Sequence, residues 1–145
     1  MDQPLVMARI TTIALTWRRY LQGLVAPFGI TLKQAFVLRE LARRDFLYPS
    51  QIAEMLYADR PTITVIIRNM ARPGWVTRER DAQNRKYVCI RITEKGREKL
   101  AALEQPPAAG TLFDPLACFD GKEVQELENL IGRLNEQLKK IDEQC

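Results

Sequence analysis

At Pro73-Gly74 the apolar spacing of this chain changes period. Upstream, "ADRPTITVIIRNMA" sets Ile63, Ile66, Ile67 and Met70 three and four residues apart, the spacing of one helical face. Downstream, "WVTRER" and "KYVCIRI" alternate apolar and polar residues around the polar turn "DAQN", which describes a β-hairpin. The β-branched run at residues 62–67 suits a strand by propensity. Pro61 in front, the spacing itself and the Pro-Gly break behind predict a helix instead, capped by Asp59 or Arg60. Any fold for this chain must therefore run a helix directly into a hairpin.

The remaining elements are helical. Residues 5–26 place Ile10, Ile13, Trp17, Tyr20 or Leu21, and Leu24 on one stripe, ended by Pro27 and Gly29. Thr31 caps a second helix, "LKQAFVLRELARR", with Ala35, Leu38, Leu41 and Ala42 inward and Lys33, Arg39 and Arg43 outward. "SQIAEMLY" predicts a short third helix beginning near Pro49 and Ser50, and "TEKGREKLAALEQ" resumes a helix after the hairpin until Pro106-Pro107. Residues 106–119, with three prolines and no periodicity, read as a linker. Asp120, with Glu123 three residues on, forms a capping box for a last helix whose stripe is Val124, Leu127, Leu130 or Ile131, Leu134, Leu138 and Ile141. The first and last helices are too long to bury their stripes against a core of about ninety residues. Burial against a partner is expected, with folding back on the same domain as the alternative.

Charge narrows the function. Residues 60–99 hold eleven Lys/Arg against four Asp/Glu, net +7, whereas residues 104–145 carry net −5. Such a block is the footprint of nucleic-acid binding, with a generic basic surface as the alternative. The chain has no histidine, which removes His-based acid–base, nucleophilic and metal chemistry. No Gly-rich phosphate loop or paired-carboxylate motif stands in its place, so neither an enzyme nor a cofactor nor a metal is implied. Cys89, Cys118 and Cys145 lack motif spacing and read as reduced thiols. Neither a transmembrane run nor a signal peptide is evident, so a cytoplasmic protein is expected.

Helix, helix, short helix, helix, hairpin is the order of a winged helix-turn-helix, a mainly α fold with a small β-hairpin wing. "PGWVTRERDAQNRKYVCIRITEKG" resembles the signature of the multiple-antibiotic-resistance regulator (MarR) family. Gly74, Trp75, Val76, Arg78, Thr93 and Gly96 match, with Ile92 in the Leu position. The family's wing Asp falls on Asn84 and its wing Arg on Lys86, with Arg85 between them. The resemblance implies one domain over residues 1–145. Residues 5–27 and 120–144 would be dimerisation helices, residues 31–100 the winged helix-turn-helix, and residues 106–119 a linker.

It also implies a homodimeric regulator of transcription, a repressor of a near-palindromic double-stranded DNA operator. On the fourth helix, Thr64, Val65, Arg68 and Asn69 would meet bases, and Arg60 and Thr62 phosphate or bases near the helix start; a merely solvated face is the alternative. Arg80 would reach backbone phosphate, and either Arg85 or Lys86 the minor groove. Arg78 fits either DNA contact or a structural ion pair. Family members commonly bind small aromatic or phenolic anions in a cleft between the first two helices and the winged domain, so the resemblance implies release from DNA by such a ligand. Trp17, Arg18, Tyr20, Phe36 and Arg39 could supply aromatic walls and counter-charge, with core packing the alternative for Trp17 and Phe36. Cys118 is the thiol open to a sensing role. A winged-helix protein–protein interaction module without DNA binding is the competing function, and steep salt dependence of binding would exclude it.

Overall fold

The computed structural model describes residues 3–104 and 114–144, in two compact units, Met1–Gln105 and Pro106–Cys145. The first unit runs α1 (Gln3–Val25), a 3-10 turn (Ala26–Phe28), α2 (Leu32–Ala42), α3 (Pro49–Leu56), α4 (Arg60–Ala71), β1 (Val76–Arg80), β2 (Val88–Ile92) and α5 (Glu94–Glu104). Local chemistry sets these boundaries. The 3-10 turn after α1 closes on Gly29, whose φ of 67° is left-handed. At α2 the Thr31 hydroxyl accepts the Gln34 N–H, while the Gln34 side chain accepts the Thr31 N–H. Asp59 caps α4 by accepting the Thr62 N–H at 2.9 Å, with Pro61 in the first turn. The run at 62–67 is thus helical, because capping and tertiary burial outweigh β propensity. Ile63, Ile67 and Met70 are fully covered and Ile66 partly.

Helix α3 begins at Pro49, as expected, and its cap is Tyr48, which is extended, as suits a residue before proline, and whose N–H donates to Gln51 Oε1 at 2.8 Å. Gln34 is a buried polar residue that the apolar pattern did not predict; its capping bond is what makes burial tolerable. Strands β1 and β2 pair antiparallel, Val76 opposite Ile92 and Arg80 opposite Val88. Lys86 and Tyr87, expected to begin the return strand, lie instead in the connection. Leu47 adds an isolated bridge, exchanging backbone hydrogen bonds of 3.0 and 2.8 Å with Ile90. The core joins α2, α3, α4 and the hairpin through Leu38, Leu41, Leu47, Ile52, Ile63, Met70 and Ile90.

Three residues of the hairpin signature meet at the hairpin's base. Gly74, at φ 83°, closes the end of α4, and the Thr93 hydroxyl donates to its carbonyl at 2.5 Å while accepting the Gly96 N–H at 3.0 Å. A Cβ on Gly96 would lie 2.2 Å from the Trp75 carbonyl oxygen. Backbone therefore passes backbone where only glycine fits.

The second unit contains α6 (Gly121–Asp142), opened by the expected Asp120–Glu123 capping box. No residue of α6 is buried, and Leu130, Ile131, Leu138 and Ile141 are exposed. On α1, Leu5, Ile13, Leu15 and Trp17 are likewise exposed. The linker expectation at residues 106–113 lies outside the described residues; Asp114–Phe119 forms turns. No single helix among the described residues is long and apolar enough to cross a membrane.

Gly96→Ala is expected to destabilise the fold by at least about 2 kcal/mol, because the clash is with backbone and has no rotamer to relieve it. Urea unfolding of the two proteins measures this; an unchanged midpoint would contradict the close approach.

Candidate nucleic-acid interface

Helix α4 presents one face to the core and the other outward. Arg60, Thr62, Thr64, Val65, Arg68 and Asn69 are all exposed, as the spacing required. Both of their threonine side chains have partners in the first turn of α4 or its cap. Thr64 Oγ1 donates to the Arg60 carbonyl at 3.0 Å, leaving its methyl group and oxygen lone pairs toward solvent. The Thr62 side chain and N–H both bond to Asp59, which pulls that carboxyl below its ordinary range. Asp59 thereby fixes the first turn of the exposed helix.

The wing is a wide loop, residues 81–87, held by several convergent contacts. Asp81 accepts the Tyr48 phenol at 2.7 Å and the Gln83 N–H at 2.9 Å. The Asp81 N–H donates to the Tyr87 carbonyl and the Tyr87 N–H to the Asn84 carbonyl. Asn84 Oδ1 accepts the Lys86 N–H at 3.2 Å, so this residue positions the backbone of Lys86 without needing a charge. Arg80 Nη1 donates to the Arg85 carbonyl at 2.8 Å. Part of the Arg80 guanidinium therefore braces the tip on which Arg85 and Lys86 stand exposed. Behind the loop, the Tyr48 ring packs between Phe46 and Tyr87, with centroids 5.1 and 5.4 Å away.

Charge is partitioned sharply. Every acid between residues 59 and 91 has an internal partner: Asp59 caps α4, Asp81 holds Tyr48, and Glu79 pairs with Arg91 at 3.6 Å. Among the cations of that segment, only Arg91 has an ion-pair partner among the described residues. The structural ion pair of the hairpin is thus Glu79–Arg91, and Arg78 has none. Arg60, Arg68, Arg72, Arg78, Arg85 and Lys86 are exposed and have no ion-pair partner among the described residues, a surface suited to a polyanion.

Comparisons with known proteins place the chain in a family. The sequence model of the MarR family matches residues 30–88. The organic hydroperoxide resistance transcriptional regulator of Bacillus subtilis (strain 168) is 30% identical over 118 residues, 79% of this chain and 76% of that protein. The chain belongs to the MarR family. The transcriptional repressor MprA of Escherichia coli (strain K12) is 25% identical over 113 residues, 78% of this chain and 64% of MprA. A solved mutant MarR of Escherichia coli, complexed with operator DNA, shares the fold with a TM-score of 0.73 at 18% identity, over 92% of this chain and 96% of that one. This member of the MarR family is a winged-helix transcriptional regulator.

Other residues of this MarR-family chain fall less neatly. Trp17 and Tyr20 stack at 5.2 Å, near-parallel at 25°. Trp17 and Phe36 are 37% and 39% exposed, so neither is a core residue, and Arg18 and Arg39 are exposed beside them in sequence. A cleft of about 350 Å³ lies elsewhere, at the base of the wing, lined by Phe46, Tyr48, Glu79, Asp81, Cys89 and Arg91 among others. Burial pushes the Cys89 thiol up, away from the reactive thiolate, whereas Cys118 is exposed. Cys145 lies outside the described residues. Tyr48 and Asp81 were missed in the sequence. They are 33 residues apart, and the one available signal was the Asp that opens "DAQN".

The Tyr48–Asp81 bond has a defined pH window. The bond, accepted by Asp81, pushes the Tyr48 phenol up to about 12 and pulls the Asp81 carboxyl down from 3.8. Its contribution is full above 3.8, the ordinary value for the carboxyl, and fades as pH falls through the lowered value. It is also full below 10.0, the ordinary value for the phenol, and fades as pH rises through about 12. Spectrophotometric titration is expected to show one tyrosine ionising near 12 that is absent from Tyr48→Phe. If both proteins titrate alike, the clasp is not formed in solution.

Proposed function

We propose that this MarR-family protein is a cytoplasmic, homodimeric repressor that binds a near-palindromic operator and releases it when a small aromatic or phenolic anion binds. The observation that carries DNA binding is the unneutralised cation surface of α4 and the wing, whose neighbouring acids are all engaged internally. In this reading α4 enters the major groove. Thr64, Val65, Arg68 and Asn69 face base edges there, and Arg60 and Thr62 lie near phosphate at the helix start. Arg85 or Lys86 extends into the adjacent minor groove, while Arg80 acts as a brace with donors left for phosphate. Support for an operator and for repression comes from the MarR solved with operator DNA and the relative named as a repressor.

The dimer rests on residues 5–27 and 120–144. Apolar side chains stand exposed along both helices, Leu5, Ile13, Leu15 and Trp17 on α1 and Leu130, Ile131, Leu138 and Ile141 on α6, which favours cover by a second copy. Together with the winged helix-turn-helix of residues 31–100, they make the two units one functional domain. A two-fold axis through paired helices sets the recognition helices about one DNA turn apart, roughly 34–36 Å, hence the inverted repeat. Ligand response rests on the stacked, partly exposed Trp17–Tyr20 pair with Arg18 next to it, and on Phe36 and Arg39 of α2.

Sedimentation at micromolar concentration is expected to give about twice the chain mass; a monomer with residues 121–145 intact would overturn the dimer. Operator affinity should fall steeply with salt, and a flat dependence would favour the protein-interaction module instead. Replacing Arg85 and Lys86 together with Ala should leave stability within about 0.5 kcal/mol and reduce the salt slope by nearly one unit per lost phosphate contact. Thr64→Ala or Asn69→Ala should instead cost on the order of 1–3 kcal/mol at particular base pairs. A panel of aromatic carboxylates and phenols that leaves operator affinity unchanged would refute ligand release alone.

A further inference from the structure

We propose that Tyr57 contacts the DNA backbone, its phenol donating a hydrogen bond to a phosphodiester oxygen at the rim of the groove that α4 enters. This rests on the placement of α4 proposed above. Tyr57 ends α3 with φ 50° and ψ 44°, and it is the one non-glycine residue at positive φ among the described residues. The helix closes around it as around a glycine: its own N–H reaches back to Ala53 and Glu54, and the Ala58 N–H donates to the Ala53 carbonyl at 3.0 Å. A left-handed tyrosine is disfavoured relative to glycine, and helix-turn-helix turns commonly place glycine in this region.

Among the described residues, no side-chain contact compensates for that strain. The side chain is 79% exposed and makes no hydrogen bond, ring contact or ion pair among the described residues. Folding therefore does not account for a tyrosine here, and strained residues of this kind cluster where function requires them. The position indicates the partner. Tyr57 stands two residues before Asp59, the cap of α4, and three before the exposed Arg60. The first residues of a recognition helix approach base edges, so the turn leading into it stands at the groove's edge, where phosphates line the rim. Tyrosine hydroxyls are among the side-chain donors that phosphate oxygens accept. Because the phenol is neutral, this contact adds affinity without displacing a counterion, unlike Arg85 and Lys86.

Tyr57→Gly, Tyr57→Phe and Arg68→Ala would be compared in the full-length chain, by thermal unfolding without DNA and by binding to the selected operator and to an unrelated duplex across a salt series. Tyr57→Gly is expected to keep or raise Tm, by up to a few degrees, while weakening both duplexes about tenfold with an unchanged salt slope. Tyr57→Phe should lose the same affinity at unchanged Tm. Wild-type affinity in either Tyr57 variant, with Arg68→Ala weakened, overturns the Tyr57 contact and leaves α4 docking intact. If Arg68→Ala also binds as wild type, the docking of α4 fails and the Tyr57 contact with it. A Tyr57→Gly protein whose Tm falls by more than a few degrees assigns the ring a folding role and likewise overturns the proposal.

Discussion

The wing depends on one crossing of backbone over backbone. At the base of the hairpin the Thr93 hydroxyl accepts a hydrogen bond from the Gly96 N–H and donates one to the Gly74 carbonyl, while Gly96 passes close to the Trp75 carbonyl. One side chain thus joins the entry of β1 to the exit of β2 and caps α5 in the same act. The pairing register that follows, from Val76 opposite Ile92 to Arg80 opposite Val88, carries the loop away from the core. Leu47 locks the hairpin to the segment ahead of α3 through its bridge to Ile90. Helix α4 and the hairpin are held by the same core, so their spacing belongs to the fold and not to either element.

Electrostatics builds on that frame by subtraction. The segment is not merely rich in arginine; its few acids are each given internal work. Asp59 settles the first turn of α4, Asp81 holds the Tyr48 phenol, and Glu79 meets Arg91. Exposed pairs such as the last contribute little to stability, so their consequence is mainly the field they leave behind. Among the described residues, the cations outside these pairs face solvent along α4 and the wing tip.

Much of this was legible beforehand. The change of period at Pro73-Gly74, the caps at Thr31 and Asp120, and the glycine and threonine of the hairpin signature are local signals, and the structure places them as expected. The exposed face of α4 followed from spacing alone once Pro61 and Asp59 made it a helix. What was misread was also local in origin. Lys86 and Tyr87 look like strand residues, but side-chain hydrogen bonds from Asp81 and Asn84 widen the turn and delay pairing to Val88.

The sequence by itself determined the elements, their order and the sign of the charge they display, because capping, proline geometry and hydrophobic period act over a few residues. Tertiary structure alone decided three things. Tyr48 clasps Asp81 across 33 residues, Leu47 bridges to Ile90, and the Thr93 hydroxyl meets the Gly74 carbonyl at the base of the hairpin. Each depends on where separate segments of backbone come to rest. No periodic pattern encodes that, because contacts between distant segments exist only after the core has brought them together.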